Sequence, residues 1–281
     1  MNQPIGKMNN EYWTYLCGSR ATKKLGIEPA DPIGVSKFDS WFFSFYPYLN
    51  DSSIVPWSRI GKLDVLEIGL GYGSMSRRLA QASKSFICCD ISKGPVSFVR
   101  QTSERALPIQ GSAEKLPLRN ESFDMVVSIG CLHHTGALQA SIDECMRVLR
   151  PNGTLIIMVY YAYSYKQWLL SPIKTMKRWR SELKGVLPER GVRSSDRIAF
   201  FYDRNQKGET PPFTEYVARK QIENALHSAR SVNLLVTNLN NIGDLLPLAL
   251  QSTVIDQIRI TLLRLPLFKW VGLDLYVTAR K

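Results

Sequence analysis

The feature that most constrains this chain is a run of three glycines, each separated by one residue, directly after an apolar segment. Residues 65–68 read Val-Leu-Glu-Ile and lead into Gly69, Gly71 and Gly73. Glycine has no Cβ, so this spacing permits a sharp turn and the close approach of a ligand to the backbone. An amphipathic helix is predicted over 75–79, and the first N–H groups of such a helix point into the turn. The pattern therefore predicts a nucleotide-type binding site between a strand and a helix.

The spacing of these glycines separates two kinds of nucleotide site. The dinucleotide fingerprint has two residues between its second and third glycines, whereas here only Tyr72 separates Gly71 from Gly73. Glu67 stands two positions before Gly69 and completes the pattern E-x-G-x-G-x-G. This run resembles the first motif of the class I S-adenosylmethionine-dependent methyltransferases. Their cofactor carries no pyrophosphate, and its cationic amino-acid end suits a nearby carboxylate such as Glu67.

Two further segments resemble the next motifs of that family. Residues 85–90 are predicted to form a buried strand that ends in Asp90, about 20 residues after the glycines, where an acid holds ribose hydroxyls in such folds. Residues 111–117, Gly-Ser-Ala-Glu-Lys-Leu-Pro, resemble the loop on the adenine side of the cofactor. Ser112 stands where the family usually has aspartate, so its contact with adenine is expected to be weaker or differently arranged.

The remaining motifs follow in the family's order. Residues 123–130 match the fourth strand, and residues 147–155 resemble the R-V-L-x-P-G-G signature, with Asn152 in place of one glycine. Asparagine tolerates left-handed backbone angles, so the turn can survive. The motifs span residues 63 to about 161 and resemble most closely the type 11 group of small-molecule methyltransferases. The resemblance implies S-adenosyl-L-methionine as cofactor and S-adenosyl-L-homocysteine as product, with the cofactor held by Glu67, Gly69, Gly71, Tyr72, Gly73, Asp90, Ile91, Ser112, Ala113, Glu114, Ser128 and Gly130.

Two histidines, His133 and His134, follow the predicted fourth strand and are the candidates for catalysis. Methyl transfer needs an aligned lone pair on the acceptor, and a hydroxyl or protonated amine must also lose a proton. Imidazole titrates near neutrality, so His134, or less favourably His133, is expected to act as the general base. The alternative is that both rings only shape the turn, because the pair accompanies the motif in similar sequences whatever the substrate.

The order of strand and helix patterns predicts an α/β fold. We expect a Rossmann-like, seven-stranded, mostly parallel sheet with flanking helices, an N-terminal cap and a helical insertion or lid. The predicted regions are an aromatic-rich cap (1–61), the cofactor-binding core (62–163), a basic helical insertion (164–212) and the C-terminal part of the core (213–281), which carries an amphipathic insertion between the last two strands.

Within these regions, finer expectations concern the cap and the C-terminal part. The cap aromatics are expected mainly to pack on the sheet, with the hydroxyls of Tyr46 and Tyr48 facing a substrate. A helix is predicted from Thr214 to about Arg230, followed by strands at 232–237 and 273–279. In the resembling family the last strand is antiparallel to the others. An amphipathic helix is predicted over 254–265, where it could cover the acceptor, pair two subunits or touch a membrane.

The charge of the chain bears on its partners. The net charge is +12 and the pI is about 9.5, and basic residues concentrate in 161–190, interleaved with apolar ones such as Trp168 and Trp179. This pattern fits an amphipathic helix on an anionic membrane surface, but a lid helix with a solvated basic face is favoured, and the two roles are compatible. No specific nucleic-acid partner is expected, since the fourth motif lacks Asn/Asp-Pro-Pro-Tyr and no RNA-binding module is visible. A homodimer remains an open alternative.

Other classes of protein are disfavoured by composition. Residues 1–10 are polar, and no uninterrupted apolar run reaches the roughly 18 to 20 residues of a membrane span. A cytoplasmic protein is therefore expected. The five cysteines lack metal-site spacing, and no metal site is predicted.

The expected function is methyl transfer from S-adenosylmethionine to an oxygen or nitrogen atom of a small metabolite or biosynthetic intermediate, including lipid- or glycan-linked acceptors. A nicotinamide-dependent oxidoreductase is the first alternative, and the glycine spacing disfavours it. A non-catalytic S-adenosylmethionine-binding protein is the second, because Ser112 departs from the motif. An RNA methyltransferase is the third and rests only on charge.

Overall fold

The apolar runs of the sequence form one sheet in the computed structural model, which describes residues 5–15, 31–186, 202–205, 207–238 and 270–281. The strands lie in the order β3-β2-β1-β4-β5-β7-β6. Their bounds are β1 (Asp64–Ile68), β2 (Ser85–Asp90), β3 (Leu107–Gln110), β4 (Phe123–Ile129), β5 (Leu149–Tyr160), β6 (Ser231–Thr237) and β7 (Asp274–Arg280).

The strand directions confirm the predicted fold class. The strands from β3 to β5 pair in parallel, whereas β7 is antiparallel to both β5 and β6. Val65 of β1 pairs with Phe86 on one side and Met125 on the other, which places β1 in the middle of the parallel part. Parallel strands need both faces covered, and their central residues are accordingly apolar and buried.

Helices cover both faces of this sheet. They are α1 (Ile5–Trp13), α2 (Pro32–Phe45), α3 (Ser74–Ala82), α4 (Lys93–Thr102), α5 (Leu138–Val148), α6 (Tyr165–Leu170), α7 (Pro172–Leu183) and α8 (Arg219–Ala225). The basic insertion forms two helices rather than one, because Pro172 is the first residue of α7. Proline suits that position, where its missing N–H is not needed.

The core consists of two buried layers, one on each face of the sheet. Successive side chains of a strand point to opposite faces, so Leu66 packs in the layer that contains Ile142 of α5. Its neighbour Val65 packs in the layer that contains Leu79 of α3 and Val99 of α4. Because β1, β2 and β4 are parallel, their carboxyl ends lie at the same edge of the sheet.

The predicted helix from Thr214 to about Arg230 is wrong in its extent. The described helix α8 covers only Arg219–Ala225, and the residues before it are extended. Glu215 N donates to the carbonyl oxygen of His133 (2.8 Å), and Val217 N donates to that of Tyr160 (2.8 Å). These bonds tie the segment to the ends of β4 and β5 and prevent a helical start. The amphipathic helix predicted over 254–265 lies outside the described residues.

Candidate functional site

The glycine turn joins β1 to α3, and its glycines serve different purposes. Gly69 has φ +83°, and a Cβ there would overlap Cys131 Cβ at 2.3 Å, so this position has no room for a side chain. Gly71 has φ +51°, and a Cβ there would meet no atom within 4 Å. Gly71 therefore faces open space and lines a cavity of about 210 Å³.

Asp90 lies at the end of β2 and connects the glycine turn to the residues that follow β2. Its Oδ2 accepts from the backbone N–H of Leu70 (2.8 Å) in the glycine turn, and its Oδ1 accepts from Ser92 N (2.8 Å). The residue is 8% exposed and lines the cavity. Burial raises the pKa of Asp90 to about 6, although the backbone N–H groups oppose this shift. A carboxylate placed in this way can accept hydrogen bonds from ligand hydroxyls.

Glu67 places a second carboxyl group at the same edge. It lines the cavity from β1, and its Oε2 accepts from the hydroxyl of Ser76 (2.6 Å) on α3. Burial raises the pKa of Glu67 to about 8, while the Ser76 hydrogen bond and the positive charge of Arg77 work in the opposite direction. A ligand cation beside Glu67 would favour its ionised form.

The loop over residues 111–114 forms the wall beside Asp90. Gly111 N donates to the carbonyl oxygen of Asp90 (2.9 Å), and Ser112 Oγ accepts from Glu114 N (3.2 Å). Ser112 thus closes a local turn in place of the aspartate that the family usually carries. Ile91, Ser112, Ala113 and Glu114 all line the cavity, as the sequence predicts.

Two predicted cofactor residues do not line the cavity. Ser128 is fully buried and its hydroxyl donates to the carbonyl oxygen of Ile68 (2.9 Å), which joins β4 to β1 beneath the turn. Gly73 has φ +73° and precedes α3, packed against Val99. Both support the shape of the turn from behind. The other ten predicted residues all line the cavity: Glu67, Gly69, Gly71, Tyr72, Asp90, Ile91, Ser112, Ala113, Glu114 and Gly130.

The opposite wall comes from the N-terminal cap. Its lining side chains share aromatic character and come from α1, α2 and the residue after α2: Trp13, Phe38, Trp41, Phe42 and Tyr46. Asp39 fixes α2 against α3, because it accepts from Arg77 Nε (2.7 Å) and from the hydroxyl of Ser74 (2.6 Å). Tyr46 lies in the wall as expected, whereas the Tyr48 hydroxyl donates to Asp274 (2.9 Å) and does not face the cavity.

The two histidines occupy different environments. His133 is fully buried, does not line the cavity, and forms no hydrogen bond through its ring within the described part of the chain. Burial, together with the neighbouring His134, lowers the pKa of His133 well below its ordinary value. His133 is therefore a neutral ring that packs against His134 and Tyr160, with centroid distances of 4.1 and 4.2 Å.

His134, by contrast, lines the cavity and faces a carboxylate. Its Nδ1 lies 2.9 Å from the carbonyl oxygen of Phe213, and its Nε2 lies 3.5 Å from Asp203 Oδ2. A carbonyl oxygen only accepts, so Nδ1 carries a proton and donates it to Phe213. In the neutral ring Nε2 then keeps its lone pair. The hydroxyl of Tyr160 donates to the same Asp203 oxygen (2.7 Å).

Comparison with known proteins places this architecture in a family. Residues 66–157 match the type 11 model of the methyltransferase domain. A probable S-adenosylmethionine-dependent methyltransferase of Mycolicibacterium smegmatis is 28% identical over 142 residues, 50% of this chain and 55% of the relative. A demethylmenaquinone methyltransferase of Tropheryma whipplei is also 28% identical over 142 residues, 50% of this chain and 56% of that protein. The chain thus spans about half the length of these curated relatives.

A solved structure supports the same fold over a larger share of the chain. An S-adenosylmethionine-dependent methyltransferase from Mesorhizobium loti superposes with a TM-score of 0.54 at 16% identity, covering 85% of this chain and 98% of that one. The motifs, the sheet order and the family match agree. The chain contains a class I S-adenosylmethionine-dependent methyltransferase domain. These findings do not favour the nicotinamide-dependent alternative.

The cavity of this methyltransferase domain fits S-adenosylmethionine, the cofactor of the family. Gly71 has open space beside its Cα, and Asp90 and Glu67 place two carboxyl groups in the cavity that the 111–114 loop also lines. Asp90 would hold the ribose hydroxyls, Glu67 would face the cationic amino-acid end, and the loop would hold the adenine.

Sequence reasoning missed the residues that complete the acceptor side of the methyltransferase site. Asn9, Trp13, Met158, Tyr160 and Asp203 line the cavity but lie in no motif. Asn9 donates to the carbonyl oxygen of His134 (2.7 Å), which holds α1 over the histidine. In the sequence these residues can be recognised only as aromatic or polar side chains outside the motifs. Their positions along the chain did not show that they meet in one cavity. Among the described residues, no helix is long and apolar enough to cross a membrane.

Proposed function

We propose that this protein transfers the methyl group of S-adenosylmethionine to an oxygen or nitrogen atom of a small metabolite or biosynthetic intermediate, including lipid- or glycan-linked acceptors. One observation carries the proposal. A single cavity joins the cofactor residues Glu67, Gly71 and Asp90 to a histidine and carboxylate pair, His134 and Asp203. The first group suits cofactor binding, and the second suits removal of a proton from an acceptor.

The cofactor-binding residues position the reaction. When bound, S-adenosylmethionine supplies an electrophilic methyl group on a sulfonium. The main chain at Gly71 allows close approach, the Asp90 carboxylate accepts hydrogen bonds, and the Glu67 carboxylate balances positive charge. The aromatic wall of the cap excludes water and confines the acceptor. Alignment of this kind supplies much of the acceleration of a displacement reaction.

His134 is the proposed general base. Its Nδ1–H is held by the Phe213 carbonyl, so the lone pair on Nε2 faces the Asp203 carboxylate across 3.5 Å. The acceptor group gives its proton to Nε2 as its oxygen or nitrogen takes the methyl group, and Asp203 stabilises the resulting imidazolium. The donor hydroxyl of Tyr160 orients Asp203. His133 holds the ring stack in place and has no proposed proton-transfer role.

The apolar wall favours an acceptor with an apolar or aromatic portion. Trp13, Phe38, Trp41, Phe42 and Tyr46 present ring surface to the cavity, whereas the charged groups lie at the cofactor and His134 ends. An acceptor with one reactive polar group on an apolar body matches this distribution. The name of the Tropheryma whipplei relative, demethylmenaquinone methyltransferase, supports an acceptor of this general kind.

Label transfer tests this function directly. Purified protein would be incubated with methyl-¹³C S-adenosylmethionine and with separated polar-metabolite and lipid extracts of the source cells. We expect a new labelled product, and its ¹³C shift distinguishes an O-methyl from an N-methyl group. His134→Gln should lower the turnover while cofactor affinity is retained. Cofactor binding without labelled product in any fraction would favour a non-catalytic S-adenosylmethionine-binding protein. A product labelled on RNA would favour an RNA methyltransferase.

A further inference from the structure

The α6–α7 segment presents an unusual amount of apolar surface to solvent. Leu169 is 63% exposed, Ile173 71%, Trp179 43%, Leu183 64% and Val186 59%. These five are among the eleven exposed large apolar side chains in the described part of the chain. Isolated exposed apolar residues are ordinary, but a concentration within 18 residues marks an interaction surface.

Basic residues border this apolar stripe. With about 100° per residue, Ile173, Trp179 and Leu183 fall within one arc of about 120° on α7. Arg180 falls inside that arc and Lys177 about 40° beyond its Ile173 end, and both are exposed. Neither cation forms an ion pair with another described residue. The exposed side of α7 therefore carries large apolar side chains with cations among and beside them.

The opposite side of α7 is attached to the domain. Thr175 and Glu182 are buried, the Tyr163 hydroxyl donates to the Glu182 carboxylate, and Arg178 donates to the carbonyl oxygen of Tyr216 (3.4 Å). These contacts fix which side of the helix faces outward. The predicted role of a lid over the cavity receives no support from the lining, since neither α6 nor α7 contributes a lining residue.

We propose that this face, formed by the exposed side chains of residues 169–186, docks on the surface of a bilayer that contains anionic lipids. An interfacial helix of this type buries its apolar side in the headgroup region while Lys and Arg contact the acidic headgroups. Pairing with a second copy is less suitable, because it would bring two sets of unpaired cations together. The net charge of +12 adds long-range attraction to the same surface.

Docking through this face would also affect how an acceptor reaches the cavity, a consequence that rests on the proposed function. The Tyr202 hydroxyl lies 2.9 Å from the hydroxyl of Ser164, the residue that caps α6, and the next residue, Asp203, lines the cavity. Docking through α6 and α7 therefore holds the acceptor side of the cavity near the bilayer. A membrane-resident, amphiphilic acceptor would reach the site from there.

Vesicle cosedimentation tests the docking. The full chain is mixed at low salt with vesicles of phosphatidylcholine alone, or of phosphatidylcholine with 30% phosphatidylglycerol (about one acidic lipid in three). We expect binding to the acidic vesicles that weakens as salt rises. Lys177→Glu with Arg180→Glu should lower the partition coefficient at least about tenfold. The matched control is Lys62→Glu with Arg119→Glu, which makes the same change in net charge at exposed positions elsewhere.

A second variant isolates the apolar contribution. Ile173→Ser with Trp179→Ser should reduce binding severalfold without altering net charge, and circular dichroism with thermal unfolding shows that each variant is folded. Equal losses in the charge-reversed pair and its control would overturn the proposal, as would no sedimentation of the wild type. Light scattering that shows a dimer lost in the Ile173/Trp179 variant would assign the face to self-association instead. Vesicle binding without cofactor binding would contradict only the proposed function.

Discussion

At the scale of single residues, burial raises the pKa of three carboxyl groups in and behind the site. The pKa is raised by burial to about 8 for Glu67, about 6 for Asp90 and about 7 for Asp274. Glu67 and Asp90 line the cavity, whereas Asp274 is bonded to Tyr48 and Asn238 behind it. Buried carboxyl groups of this kind reduce the stability of the ligand-free protein. A ligand that favours their ionised form offsets this cost when it binds.

Glu67→Gln should change how stability depends on pH. The pKa of Glu67 is about 8 in the folded state against an ordinary 4.5, so between these values the folded state holds a proton that the unfolded state has released. The contribution of Glu67 to the free energy of unfolding is fully present below pH 4.5. It falls as pH rises toward 8, by at most about 1.4 kcal/mol per pH unit. Relative to wild type, the ligand-free variant should therefore gain Tm as pH rises from 5 to 8.

Thermal unfolding across this pH range measures the effect. Exposed Glu104, changed to Gln, is the matched control and should follow the wild-type curve. Glu67→Gln should also weaken S-adenosylmethionine binding, because a neutral amide cannot balance a cation. Parallel Tm curves for wild type and Glu67→Gln would show that Glu67 is ionised in the folded protein across the whole range.

The proposed base predicts a particular tautomer of His134. The Phe213 carbonyl at 2.9 Å requires the proton on Nδ1, and the Nε2 atom of the neutral ring lies 3.5 Å from Asp203 Oδ2. The chain has only three histidines, so ¹⁵N-histidine labelling gives three rings that single substitutions can assign. We expect the Nδ1–H form for the neutral ring of His134.

A structural role for Asp203 alone would give a different kinetic result. Once an acceptor is known, Asp203→Asn should lower the turnover while cofactor affinity is retained, because Asp203 is proposed to stabilise the imidazolium that forms. An Nε2–H tautomer would exclude His134 as the base, and wild-type turnover in Asp203→Asn would exclude the proposed role of Asp203.

At the scale of elements, the glycine turn explains how one strand–helix junction serves both packing and binding. Gly69 is closed in by Cys131, whereas Gly71 opens on the cavity, and both have positive φ. The backbone strain of an alanine is thus similar at the two positions, about 1 kcal/mol. What differs is the space that its Cβ would enter.

Alanine substitutions at these two glycines should therefore separate stability from binding. Gly69→Ala should lower the free energy of unfolding by roughly 2 kcal/mol or more, since overlap with Cys131 adds to the strain. Gly71→Ala should lose only about the strain, yet reduce cofactor affinity at least tenfold by occupying the path of approach. Chemical denaturation and calorimetric titration measure the two quantities. Equal cofactor affinity in Gly71→Ala and wild type would remove the turn from the binding site.

The sequence predicted elements well where local pattern and burial agree. Strands β1, β2, β4 and β5 lie in the order of the family's motifs, and β6 and β7 begin within one residue of their predicted starts, whereas β3 was not predicted. The helix predicted from Thr214 failed because long-range partners decided its conformation. Glu215 and Val217 bond to His133 and Tyr160, contacts that no local propensity encodes.

At the scale of the whole molecule, the site has two origins. The cofactor side was predictable, because its residues lie in motifs at the ends of consecutive strands. The acceptor side was not, because Trp13, Tyr160 and Asp203 are brought together only by folding. His134 was found from its place after β4, yet only the structure shows that it faces Asp203 and that His133 does not line the cavity.

Calorimetric titration with S-adenosylmethionine, S-adenosylhomocysteine and NADH tests the central claim most directly. We expect both sulfur nucleotides to bind in the micromolar range and NADH to give no heat. Asp90→Ala should weaken that binding, because each lost ribose hydrogen bond is worth roughly 0.5 to 1.5 kcal/mol and the Leu70 contact is lost as well. Binding of NADH, or of none of the three by a folded protein, would contradict the assignment of this cavity to S-adenosylmethionine.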